Sequence, residues 1–122
     1  MDSYRSLKAW QQAHRLCLDV LQLTDAAYHP RTQPVFNQLR RAAVSVEANI
    51  VEGFALQGPR QFHRHIRIAL GSLAEVECLV VIVHELNYLK DEAVGHLRQR
   101  LAEAFPLIVG LRRSMARRAG TA

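Results

Sequence analysis

Cysteine is scarce in this 122-residue sequence, which has two. Cys17 and Cys78 match no metal-ligand spacing, and both fall in apolar surroundings, where free thiols pack as small core residues. Long apolar runs are also missing. The longest interior run, Cys78 to Val83, is far short of the roughly 20 residues that cross a bilayer. The first residues, Met1-Asp2-Ser3-Tyr4-Arg5, lead into an amphipathic segment without the apolar block of a signal peptide. The expectation is a cytoplasmic protein with reduced thiols and no membrane partner.

Signs of catalysis are missing too. His63 and His65 are two apart, so on a helix they point in nearly opposite directions and cannot chelate one ion. No glutamate has a histidine three residues on, as paired metal-binding helices require. Glu92 and His96 share a face but have no second ligand pair, and His84-Glu85 lacks the second histidine of a zinc-protease helix. Neither Ser45 nor Ser72 lies in a nucleophile elbow, and no glycine-rich loop cradles a phosphate. The expectation is therefore no metal, no cofactor and no enzymatic activity.

What remains is helical periodicity. Apolar residues make up 49% of the chain, enough for one domain over residues 1–122 without staples. Leu7, Trp10, Cys17, Leu21, Thr24 and Tyr28 predict a helix over 3–28, with Ser3 as its cap and His29-Pro30 as its stop. Pro34 opens a second helix over 34–56, where Phe36, Leu39, Ala43, Val46, Ile50 and Phe54 form the buried ridge, with Gly53 and Gly58-Pro59 marking its exit. A third, over 59–88, carries Phe62, Ile66, Ala69, Leu73, Val76, Val80, Val83 and Asn87 on one seam. A fourth, over 91–118, starts at a capping Asp91 and contains Pro106, which is expected to kink or break it, with Gly110 adding to the weakness. The last residues, Ala119 to Ala122, are expected to fray. Short connections make successive helices antiparallel, so the fold class is all-α: an antiparallel up-down-up-down four-helix bundle. The run Leu79-Val-Val-Ile-Val83 is apolar on every side of its helix, which predicts self-association.

Two polar features stand out. Arg41, Ser45, Asn49 and Glu52 share one side of the second helix, and Ser72 and Glu75 are similarly placed on the third. Such groups fit a paired seam that fixes register, with Arg41 expected to meet Glu75 or Glu52. An enzymatic reading would need a pocket at Asn49 and Glu75. The net charge is +5 and the pI about 9.9. Arg60, Arg64 and Arg67 open the third helix, and Arg112, Arg113, Arg117 and Arg118 close the fourth. In this topology both clusters share one end with Arg5 and Lys8, which predicts a basic pole suited to a polyanion, with Arg40 as an outlying contributor. Aromatics expected there are Tyr4, Trp10 and Phe62, so contacts should run through the nucleic-acid backbone.

Leu39-Arg-Arg-Ala-Ala-x-Ser-x-x-x-Asn-Ile-x-Glu-Gly53, then Phe62 and Ile68-Ala-Leu-Gly-Ser-Leu-Ala-Glu75, with Leu7-x-x-Trp10 before them, resembles the bacterial four-helix bundle proteins of the rRNA intervening-sequence type. That family includes the accessory variability proteins of diversity-generating retroelements. The resemblance implies a homopentameric ring. For the retroelement branch it implies nucleic-acid binding, of RNA or DNA, through a basic surface, and a reverse transcriptase as partner. Val51 replaces a more usual alanine, and Pro106 is less expected. Two readings follow: a nucleic-acid-binding accessory protein, or a structural module whose ring binds a protein partner and whose arginines only keep it soluble.

Overall fold

The computed structural model describes residues 3–120. A short 3-10 helix, Tyr4–Ser6, precedes four α-helices: α1 (Lys8–Ala26), α2 (Gln33–Ala55), α3 (Pro59–Glu85) and α4 (Asp91–Arg118). Consecutive helices pack on each other and α4 closes back on α1, while the backbones of diagonal helices stay apart among the described residues. Cross-helix pairs show the antiparallel sense directly. Gln38 meets Glu75, Ser45 meets Ser72 and Asn49 meets His65, so one helix number rises as the other falls. This is the four-helix bundle that the apolar periodicity requires.

The helix ends differ from the sequence expectation in specific ways. Ser3 caps the 3-10 turn, its Oγ accepting from the Arg5 amide at 3.1 Å, and α1 starts only at Lys8, after an extended Leu7. It ends at Ala26, before Tyr28. The third helix stops at Glu85 because Asn87 turns left-handed (φ 57°). The Asn87 and Tyr88 amides then donate to the His84 and Val83 carbonyls at 3.0 and 2.9 Å. That is the paired closure asparagine favours, and it places Asn87 on an exposed turn rather than on the core seam. Lys90, not Asp91, is the N-cap of α4; the Asp91 carboxylate instead faces His84 at 3.4 Å. No break occurs at Pro106, and α4 runs through it. Both Pro106 and Ala102, whose carbonyl loses its partner, are exposed, so water can satisfy that oxygen. Met1, Asp2, Thr121 and Ala122 lie outside the described residues, and with them the far end of the expected frayed tail.

The core is a continuous apolar column. Leu16, Val20, Leu39, Val46, Ile50, Ile66, Leu73, Val76, Val80, Leu97 and Ile108 are all inaccessible to solvent or nearly so. Two polar side chains are buried with them, and both are satisfied. Thr24 donates to the Val20 carbonyl at 2.7 Å and accepts from Arg40 Nε at 2.8 Å, while Thr32 closes the α1–α2 turn on His29. Around this column each seam carries one histidine facing a carboxylate: His14–Glu47 between α1 and α2, His65–Glu52 between α2 and α3, His84–Asp91 between α3 and α4, and His96–Asp19 between α4 and α1. Asp19 also accepts from Arg100 Nε at 2.6 Å. Partly exposed pairs of this kind add little stability each, about 0 to 1 kcal/mol, but they fix rotation and register.

Gly53 is not a helix stop. It is buried inside α2, which continues to Ala55, and the chain turns at Gln57, whose φ is 56°. Its lack of a side chain serves packing: an added Cβ would lie 2.8 Å from Phe62 Cδ1, 3.0 Å from His65 Cβ and 3.3 Å from Phe62 Cα. The last of these is backbone, so a side-chain rotation cannot relieve the crowding. Gly53→Ala should therefore destabilise the bundle by about 1–3 kcal/mol despite alanine's better helix propensity. Thermal melting followed by circular dichroism checks this, with a drop of several degrees expected.

Candidate nucleic-acid interface

The bundle brings the end of α2, the start of α3 and the end of α4 to one pole, where Phe54, Gln57, Pro59, Phe62, Met115 and Arg118 surround a single cleft. The 3-10 helix packs on α1 and α2, which places Arg5 and Lys8 at the same pole. Arg60, Arg64 and Arg67 project from α3 opposite its buried residues Ile66, Ala69 and Leu73, and all three are exposed. On α4, Arg113, Arg117 and Arg118 are exposed and Arg112 is half-buried. Arg5 and Lys8 are exposed as well. The nine sequence-derived cations thus share one end of the molecule.

These α3 and α4 arginines have no carboxylate close to them in the sequence. No carboxylate occurs between Glu52 and Glu75 or after Glu103. The ion pairs among the described residues use Arg40, Arg100 and four histidines, and none uses any of the nine. Arg40 does not join the pole. Its guanidinium is held by Asp25 and Thr24 toward the other end of α1, so its expected outlying role is not supported.

The polar stripe forms a connected α2–α3 seam. The Ser45 and Ser72 hydroxyls meet at 2.8 Å, and Asn49 Nδ2 donates to the Ser45 carbonyl at 2.9 Å and to its Oγ at 3.1 Å. His65 Nδ1 donates to Asn49 Oδ1 at 3.0 Å, with Glu52 3.5 Å away. Arg41 pairs with neither Glu52 nor Glu75, contrary to expectation. Glu75 is held by Gln38 at 3.1 Å, and Glu52 by His65. The two glutamates are taken by neutral or histidine partners instead of by Arg41. His65 and Gln38 were not among the seam residues expected from the sequence. His65 lies two helical turns before Ser72 on the same face, and that spacing was the available signal. Gln38, Arg41, Ser45, Ser72 and Glu75 line a shallow groove of about 410 Å³.

Cys17 is buried, whereas Cys78 is exposed, which corrects its expected core position. Burial and the neighbouring Glu47 carboxylate push the Cys17 thiol up to about 11. It is therefore a neutral packing group at physiological pH and a poor nucleophile. No group of three or more His, Cys, Asp or Glu among the described residues could hold a metal ion, and no helix among them is long and apolar enough to cross a membrane.

Fold and site together define a four-helix bundle with one strongly basic pole. The chain belongs to the 23S rRNA-intervening sequence protein family, whose model matches residues 5–110. The match takes in the α2–α3 seam and the α3 arginines, and it ends before Arg112, Arg113, Arg117 and Arg118. No curated protein matches the chain.

Because the folded Cys17 holds its proton to higher pH than the unfolded thiol, its contribution to stability is intact below about pH 9 and is lost as pH rises toward 11. Urea unfolding at pH 8 and at pH 11 should show an alkaline loss on the order of 1–2 kcal/mol larger in the wild type than in Cys17→Ala.

Proposed function

We propose that this protein is a non-enzymatic, self-associating bundle that binds RNA or DNA through the phosphates, using Arg60, Arg64, Arg67, Arg112, Arg113, Arg117, Arg118, Arg5 and Lys8. The observation that carries the reading is the basic pole itself: nine cations gathered at one end with no ion pair among the described residues. Exposed like charges held together cost stability, and a polyanion offsets that cost while releasing its counterions. Family membership is consistent with a role around a ribosomal RNA insertion.

Self-association has separate support. Val81 and Ile82 on α3 are 41% and 38% exposed, inside a helix otherwise apolar at that level, and Leu18 on α1 and Val44 on α2 are 42% and 45% exposed. Leu18 and Val44 lie one turn from His14 and Glu47 beside the α1–α2 seam, whereas Val81 and Ile82 lie on α3. One copy can therefore present one surface to a neighbour and a different surface to the next, the arrangement that closes into rings. The family resemblance implies five copies. A ring would repeat the basic pole around its axis and multiply the phosphate contacts.

Affinity for RNA or DNA should fall steeply with salt, the decimal logarithm of the binding constant dropping by about 0.7–0.9 per tenfold rise in salt for each phosphate contacted. Arg64→Glu with Arg113→Glu should weaken binding at least about tenfold and flatten the salt slope while the oligomer's mass stays unchanged. Absence of binding at low salt by the intact oligomer refutes the reading in favour of a protein-interaction module. Val81→Asp with Ile82→Asp should lower the mass measured by light scattering without lowering the monomer's melting temperature, since both side chains are solvent-exposed in the single bundle.

A further inference from the structure

We propose that the cleft at the basic pole accepts an unpaired nucleobase. It would come from a strand whose phosphates lie on the surrounding arginines. This rests on the nucleic-acid reading above and adds to it a contact that phosphate binding alone does not provide.

The lining argues for the occupant. The cleft has a volume of about 290 Å³ and is bounded by Phe54, Pro59, Phe62 and Met115, with Gln57 and Arg118 completing it. The Phe54 and Phe62 rings stand edge to face, 6.2 Å apart at 89°, so a planar guest meets one ring's face and the other's edge. Met115, almost fully buried, adds a polarizable thioether. The volume is at the small end of ligand pockets and suits one flat ring system.

Charge separates this cleft from the others. Four other surface clefts among the described residues each have a carboxylate in the wall: Glu77, Glu92, Glu75 and Asp91. The cleft at the pole has none, and Arg118 forms part of its wall. Arg60 follows Pro59 and Arg117 precedes Arg118 in the chain, so cations flank the cleft on both α3 and α4.

The other aromatics at this end are already engaged. Trp10 stacks on His14 with centroids 4.6 Å apart, and Tyr4 meets Trp10 edge-on at 5.0 Å. Phe54 and Phe62 also meet each other edge to face, but they line the cleft, so an inserted base reaches their rings there. A duplex keeps its bases stacked and paired, so the site favours a single strand, a bulge or an overhang.

The test uses the full chain and two probes: a short single-stranded RNA carrying 2-aminopurine, and the same sequence as a blunt duplex. At matched salt the single strand should bind more tightly, with 2-aminopurine emission quenched. Phe54→Leu, which keeps apolar volume but removes the ring, should weaken single-strand binding roughly tenfold and restore the emission, with little loss for the duplex. Phe54→Trp should retain both tight binding and quenching, which separates loss of stacking from misfolding. Unchanged single-strand affinity and quenching in Phe54→Leu overturn the assignment. So does a change in oligomeric mass with no change in emission, because the cleft would then belong to a neighbouring copy. Duplex binding without single-strand quenching defeats the cleft alone; no binding of either probe defeats the nucleic-acid reading as well.

Discussion

The close approach of α2 to α3 is the constraint on which the rest of this bundle depends. Gly53 leaves no room for a Cβ because Phe62 and His65 occupy that space. The same two helices are tied by the Ser45–Ser72 contact and by His65 reaching Asn49. The small residues set how near the helices come, and the polar network sets their register. A slip of one residue would bury Phe62 against a side chain and leave Ser72 or Asn49 unsatisfied. With this pair fixed, α1 and α4 close the column over a core of aliphatic side chains.

The pairing also decides where charge lies. Carboxylates near the seams are taken up by histidines and by Arg40 and Arg100. The cations at the start of α3 and the end of α4 have no such partner among the described residues. Arg117 and Arg118, in the last turn of α4, are favoured by its helix dipole, whereas Arg60, in the first turn of α3, opposes its own at a cost of about 0.3–1 kcal/mol at low salt. Clustering that carries such a cost is consistent with a ligand-binding role.

The pole is not purely electrostatic. Phe54 and Phe62 meet beside Arg118 because α2 ends, α3 begins and α4 ends at one place. Arginines at several heights can follow a flexible backbone, while one apolar cleft can hold a single base and fix the strand's position. The exposed Val81 and Ile82 lie farther along α3, away from these groups, so self-association and ligand binding need not compete for the same surface.

Much of this was legible from residue order. Periodicity gave four helices because each must bury one stripe, and alternation of direction then gathered Arg60, Arg64, Arg67 and the α4 arginines at one end. The sequence also singled out Leu39 to Gly53, but it could not say what Gly53 was for. A glycine near a helix end reads as a stop, and only the position of Phe62 across the interface shows that it is a packing site. Likewise Arg41 looked like the partner of Glu75 or Glu52, Asn87 like a core residue, and Pro106 like a kink or a break, of which the break does not occur. Each was decided by groups distant in the chain or by exposure to water: Gln38 took Glu75, the left-handed turn carried Asn87 outward, and solvent relieved Pro106. Local order determined the helices and the charge on their ends. The tertiary structure decided which side chains meet, because that depends on the spacing between helices, which no single stretch of sequence contains.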